Sequence, residues 1–136
     1  MDLTPPTLWW GEFRARYDHG PTRKALCGFV VQEGALSVRV VAESTLALLP
    51  AVLAEPAPVR AWFLETVRCL GCGGCGERGP LEVEVDGQPE LLCHWNWGRN
   101  ARPPYEHMDA IERLIDHVLA AAREKRAAEK AAKQAR

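Results

Sequence analysis

Cys69-Leu70-Gly71-Cys72-Gly73-Gly74-Cys75-Gly76 is the most distinctive stretch of this sequence. Another cysteine follows further along the chain, in the dipeptide Cys93-His94. Cysteines separated by two residues, with one more returning later, are typical of a site for zinc or an iron–sulfur cluster. The glycines favour tight turns because they adopt the left-handed conformation at little cost. We therefore predict one structural zinc site. Its four ligands are Cys69, Cys72, Cys75 and Cys93.

Two alternate ligands and two other interpretations of the cysteine spacing stay open. Adjacent strand residues point to opposite faces, so His94 could replace Cys93 but could not easily join it. Cys27 lies inside a predicted strand, where a cysteine usually serves as a small hydrophobe, and it is kept as a reserve ligand. The spacing is also half of a ferredoxin pattern, which would imply an iron–sulfur cluster, and four reduced cysteines without metal is the third reading.

The rest of the sequence predicts an α+β fold with a small antiparallel sheet. Alternating apolar and polar residues indicate hairpins near residues 24–42 and 81–94, the second turning at Asp86-Gly87. Apolar residues at helical spacing indicate helices near 44–54, 59–68 and 109–122, with Pro50 bending or dividing the first. Residues 2–11, which include Pro5 and Pro6, are predicted to be irregular, followed by a strand over 12–17.

Charge divides the chain into two parts. The formal net charge of −1 is the sum of −5 over residues 1–122 and +4 over residues 123–136. We predict a single α+β domain over 1–122, with a zinc-ribbon-like segment at 69–94, followed by a basic Ala/Lys/Glu tail over 123–136 that is helical or disordered. An acidic body argues against nucleic-acid binding by that body, although the tail could touch an acidic partner.

No combination of residues predicts catalysis, because the four histidines are scattered and no phosphate-binding loop or nucleophile motif is present. The sequence favours a non-enzymatic, metal-binding domain that acts through contacts with an unidentified protein. The predicted interaction surface contains aromatic and arginine residues, the types that dominate protein interfaces. These residues are Trp95, Trp97, Arg99, Arg102 and Tyr105.

Two other functions remain open from the sequence. The first is nucleic-acid binding through the basic tail and the Trp/Arg loop, and the second is a redox role that requires an iron–sulfur cluster. The sequence has no apolar run long enough to cross a membrane and no signal-peptide pattern at its beginning, so we expect a cytoplasmic protein without membrane association. It does not indicate an oligomeric state.

Residues 61–119 resemble a group of small, poorly characterised bacterial proteins. In that group an apolar helix leads into closely spaced cysteines, and a hairpin, a Leu-Cys dipeptide, a Trp-containing loop and a closing helix follow. The matching features here are Cys69, Cys72 and Cys75, then Leu92-Cys93, then Trp95 and Trp97. His94 stands where the group is expected to have proline. The resemblance implies a metal-stabilised α+β domain and brings no activity with it.

Overall fold

The computed structural model confirms an α+β fold. It describes residues 2–9, 12–18, 25–32, 35–40, 44–94, 99 and 101–135, with only the strand backbone for the first three ranges. Within these residues, four strands form one antiparallel sheet, two strands form a second, and three helices follow or separate them. In chain order the elements are β1 (Asp2–Trp9), β2 (Glu12–Asp18), β3 (Ala25–Gln32), β4 (Ala35–Val40), α1 (Thr45–Leu53), α2 (Ala57–Val67), β5 (Leu81–Val85), β6 (Gln88–Leu92) and α3 (Met108–Gln134).

The larger sheet is a meander in which each strand pairs with the next, in the order β1-β2-β3-β4. The predicted hairpin near 24–42 is present as β3 and β4, and the predicted strand over 12–17 is present as β2. The prediction that residues 2–11 are irregular was wrong, because residues 2–9 form the edge strand β1. Its register shifts between Thr4 and Thr7, where Pro5 and Pro6 lie, and an edge strand tolerates prolines because one side needs no hydrogen bonds.

The helices lie close to their predicted positions, with informative differences at three points. Pro50 does not divide α1, since Leu48 and Leu49 before it and Val52 after it are all buried and hold one continuous helix. Helix α2 begins at Ala57, two residues earlier than predicted, because a proline in the first helical turn has no hydrogen bond to lose there. Helix α3 continues to Gln134, twelve residues beyond the helix predicted over 109–122, so the described part of the basic tail takes the helical one of its two predicted states.

The described core lies between the helices, β4 and the small sheet. Trp62 stands at its centre, with its side chain 2% exposed and its indole Nε1 donating to the carbonyl oxygens of Val38 and Ala101 at 3.2 and 3.3 Å. Val38 and Ala101 also exchange two backbone hydrogen bonds. One side chain of α2 therefore joins β4 to the segment that precedes α3.

A salt-bridge cluster fastens α3 to the turn between α1 and α2. Arg113 contacts Glu55 at 2.7 Å and Asp109 at 3.1 Å. Hydrogen bonding to Arg113 lowers the pKa of the Glu55 carboxyl and also that of the Asp109 carboxyl. The sequence places Glu55 and Arg113 far apart, so this contact had no local signal.

Thr45 provides a test of side-chain packing in α1. Its side chain is 1% exposed, and its hydroxyl has no hydrogen-bond partner within the described residues. An unsatisfied buried hydroxyl costs free energy, so Thr45→Val is expected to raise the free energy of unfolding by about 1 kcal/mol in a urea titration.

The matched control is Thr66, which is 2% exposed and donates to the Phe63 carbonyl oxygen at 2.7 Å. Thr66→Val is expected to lower the free energy of unfolding by about 1 kcal/mol because it removes a satisfied hydrogen bond. Equal losses of stability in both variants would contradict the difference between the two hydroxyls.

Among the described residues, no helix combines the length and the apolar character that crossing a membrane requires.

Candidate metal centre

The small sheet, which follows the clustered cysteines, is a hairpin with a tight two-residue turn. Strands β5 and β6 pair from Leu81 opposite Leu92 to Val85 opposite Gln88. Asp86 and Gly87 have φ angles of 52° and 75°. Positive values at both central residues are what a type I′ turn requires. The hairpin predicted from Asp86-Gly87 is confirmed.

The chain leaving α2 pairs with the outer side of β6. The Cys69 amide donates to the Leu91 carbonyl oxygen at 2.8 Å, and the Cys93 amide donates to the Val67 carbonyl oxygen at 2.6 Å. Between these two bonds, Arg68 lies opposite Leu92 as an antiparallel bridge. Cys69 and Cys93 are therefore diagonal neighbours on adjacent backbone segments. We call residues 67–94, which contain this pairing, the cysteine loop and the hairpin, the cysteine ribbon.

The cysteine loop uses glycine to turn back repeatedly. Gly71, Gly73 and Gly76 have φ angles of 73°, 75° and 61°, so each adopts the left-handed conformation. A Cβ atom at any of the three would meet no atom within 4 Å, so the requirement is one of backbone conformation and not of space. Cys72 and Cys75 each precede one of these glycines directly, which keeps the two cysteines within one compact loop.

The sulfur of Cys69 accepts a hydrogen bond from the Gly71 amide at 3.4 Å. Cys72 is exposed, while Cys69, Cys75 and Cys93 are intermediate between buried and exposed. The loop therefore offers sulfur atoms that solvent and ions can reach.

Cys93 is under the electrostatic influence of the other three cysteines. Partial burial raises the pKa of its thiol above the usual value, and the charges of Cys69, Cys72 and Cys75 act in the same direction. The Arg99 guanidinium opposes this shift of the Cys93 pKa and also donates to the Arg68 carbonyl oxygen. The four predicted ligands thus share one neighbourhood, with a cation beside it.

The four cysteines fit a metal ion well in the kind of donor atom they offer, but only partly in the arrangement of their side chains. Within the described part of the chain, no three His, Cys, Asp or Glu side chains are arranged as a metal site. The set of four sulfur donors nevertheless matches the ligands of a structural zinc ion, and the backbone brings the segments that carry them together. The metal and its ligand set stay predictions.

The alternate ligands differ in how far the structure describes them. The Nε2 atom of His94 lies 2.9 Å from the Gly79 carbonyl oxygen, and because a carbonyl only accepts, Nε2 is the donor and carries the proton. A metal bond from His94 would therefore need Nδ1. Cys27 lies in β3 opposite Tyr17 and Val40, and its side chain lies outside the described residues.

One salt bridge connects the ribbon with α2, and another lies within the ribbon. Arg60 of α2 contacts Asp86 at the hairpin turn at 2.9 Å, and Arg68 contacts Glu90 of β6 at 3.3 Å. Asp86 and Arg68 are about half exposed, so each pair contributes little to stability and serves mainly to orient the hairpin.

The predicted interaction surface is only partly visible. Trp95 and Trp97 lie outside the described residues. The Arg102 guanidinium stands 5.5 Å from the centre of the Tyr105 ring, and Tyr105 is 47% exposed. Arg99, which was also predicted as a contact residue, lies beside the cysteines. Its role there had no local sequence signal, since it depends on the return of the chain to Arg68.

The chain was also compared with protein-family models, curated proteins and solved structures. Nothing matches in any of the three. The resemblance to small bacterial proteins therefore stays a prediction, and the interpretation of the site depends on its own residues.

Proposed function

We propose that Cys69, Cys72, Cys75 and Cys93 bind one zinc ion that stabilises the cysteine ribbon, in a non-enzymatic domain that acts through protein contacts. The observation that carries this proposal is that Cys69 and Cys93 lie on either side of the Arg68–Leu92 bridge, as diagonal neighbours on paired backbone segments. Diagonal neighbours of an antiparallel pair lie about 7–8 Å apart, a gap that two cysteine side chains can bridge when both sulfurs bind one metal ion at about 2.3 Å. The remaining two cysteines follow Cys69 at short spacing within the same loop.

A structural role suits this set better than a catalytic one. Four sulfur ligands complete a tetrahedral zinc site and leave no position for water or substrate. When bound, the metal supplies a cross-link whose binding free energy becomes folding free energy. Four thiolates around Zn²⁺ carry a net charge of −2, and Arg99 provides positive charge beside them.

The part of the proposal that concerns protein contacts is supported by apolar side chains on the ribbon. Leu70, directly after the first cysteine, is 71% exposed, and Leu91, opposite that cysteine in the backbone pairing, is 49% exposed. Exposed leucines beside a rigid cross-linked loop provide the apolar contact area that protein partners use.

The test is metal analysis of the protein purified without added metal. We expect about one zinc per chain and no visible absorbance, because Zn²⁺ has a filled d shell. The Cys72→Ser variant is expected to lose the zinc, since it removes one of the four ligands. Cys27→Ser, in β3, is the matched control and is expected to keep it.

Two outcomes would overturn the zinc assignment. Iron with visible absorbance would indicate an iron–sulfur cluster instead. A metal-free protein with a fully ordered ribbon would show that the four cysteines need no metal.

A further inference from the structure

Helix α3 extends well beyond the core that supports it. Its buried residues end at Val118, and every described residue from 123 to 135 is exposed. The exposed half persists because Ala, Arg, Lys and Glu all have high helix propensity and the packed half supplies the costly nucleus. The molecule therefore presents a long helical surface that its own described residues do not cover.

One face of α3 carries a charge stripe whose sign changes along the helix. At 3.6 residues per turn, seven charged residues fall within a sector of about 120°. The first three are acidic and the last four are basic, and all seven are exposed. In order they are Asp109, Glu112, Asp116, Arg123, Arg126, Lys130 and Lys133.

Within each half of the stripe, neighbouring charges repel one another, although acidic residues near the start of a helix and basic residues near its end suit the helix dipole. Successive charges within each half are three or four residues apart and of the same sign, and such pairs repel one another on a helix surface. In the described part of the chain, only Asp109 among the seven has an ion-pair partner, Arg113. A second helix that places opposite charges beside each half of the stripe would offset the repulsion between the like charges.

We propose that the partner is a second copy of this chain, with the two α3 helices antiparallel across a two-fold axis at the level of Ala121. In this register residue numbers that face each other add up to 242, and each acidic residue of the stripe meets a basic one. The facing pairs are Asp109 with Lys133, Glu112 with Lys130, and Asp116 with Arg126, each occurring twice.

The same charge order excludes the parallel arrangement, in which acidic halves and basic halves would face their own kind. Ala120 and Ala122 flank the crossing point, where small side chains let two helix backbones approach closely. Leu119 and Arg123 face each other beside the axis, so the long apolar stem of the arginine can cover the leucine. The residues near the axis thus allow two helices to approach closely, and the residues toward both ends form pairs of opposite charge.

Charge, and not apolar area, supplies most of this contact. Leu119 is the largest apolar residue near the axis, and it already packs partly against the core of its own chain. Exposed ion pairs are individually weak and screened by salt. We therefore expect a dimer that forms at high protein concentration and low ionic strength and dissociates in concentrated salt.

Sedimentation equilibrium of the full chain tests the dimer, first at low salt and then at about 1 M NaCl, where the screening length falls to about 3 Å. Glu112→Lys and Lys130→Glu, each by itself, are expected to weaken dimerisation about tenfold, because each turns two attractive pairs into repulsive ones. The double variant E112K/K130E restores both pairs with the net charge unchanged, so its dissociation constant is expected to return to near the original value.

Glu124→Lys and Lys125→Glu are the matched controls, because they make the same changes of charge on the same helix outside the stripe. They are expected to leave dimerisation unchanged, and circular dichroism checks that all variants keep their helix content. A monomer at low salt and high concentration would overturn the proposal. So would a double variant as weak as the single ones, or a monomer whose basic half binds a single-stranded oligonucleotide.

Discussion

Replacing Trp62 with alanine is expected to lower the free energy of unfolding by about 3–5 kcal/mol, as for other fully buried aromatic residues. The loss combines the apolar area of the indole with its hydrogen bonds to the carbonyl oxygens of Val38 and Ala101. Since small domains are stable by about 5–15 kcal/mol, a loss of this size removes a large part of the total stability. Urea unfolding followed by circular dichroism measures the change.

Trp62→Phe separates packing from hydrogen bonding. Val38 and Ala101 keep their mutual backbone bonds in this variant, so no carbonyl oxygen of this pair is left unsatisfied. We therefore expect a loss of only about 1–2 kcal/mol in the free energy of unfolding.

Leu46→Ala is the control for both Trp62 variants. The Leu46 side chain is 57% exposed. Its truncation should change the free energy of unfolding by less than about 0.5 kcal/mol. A Trp62→Ala variant as stable as this control would contradict the central position of Trp62.

Replacing Cys93 with serine is expected to abolish zinc binding and to release the cysteine ribbon while the helical core stays folded. Because metal binding free energy is folding free energy in such sites, losing one of four ligands removes most of the stabilisation. The amides of Cys69 and Cys93, which donate across the Arg68–Leu92 bridge, should then exchange with solvent at least about tenfold faster. Hydrogen exchange with residue resolution measures this, and zinc analysis of the same sample gives the metal content.

Amides in the packed half of α3, such as those of Leu114 and Ile115, are the internal control and should keep their protection. His94→Gln tests the alternate ligand, and we expect it to retain zinc because Nε2 already binds the Gly79 carbonyl oxygen. If His94→Gln loses zinc while Cys93→Ser retains it, the fourth ligand is His94 and the assignment to Cys93 is wrong.

Features set by neighbouring residues were predictable from the sequence. The hairpin at Asp86-Gly87 follows from two residues that accept positive φ angles, and α1 begins after Ser44, whose hydroxyl accepts from the Ala47 amide. The buried stripe of α3 from Ile111 to Val118 has helical spacing that can be read directly. In each case the residues that determine the structure lie within a turn or two of each other.

Features set by distant residues were not predictable. No local pattern indicates that Ala101 will pair with Val38, or that Val67 and Cys69 will pair with β6, because backbone hydrogen bonds are available to every sequence. Strand β1 was missed since Pro5 and Pro6 argue against a strand unless it is known to lie at the edge of the sheet. The cysteine spacing predicted a metal site, but the position of Arg99 beside Cys93 required the folded chain.

Arg68 is the one residue between the last residue of α2, Val67, and Cys69, which already pairs with β6. The ribbon therefore has no hinge at this junction, and a force that pulls on the cysteine loop acts directly on the last turn of α2. A peptide made only of residues 69–94 would lack the Val67 carbonyl that binds the Cys93 amide. Anyone who transplants the ribbon into another protein should include α2, starting at Ala57, as part of the graft.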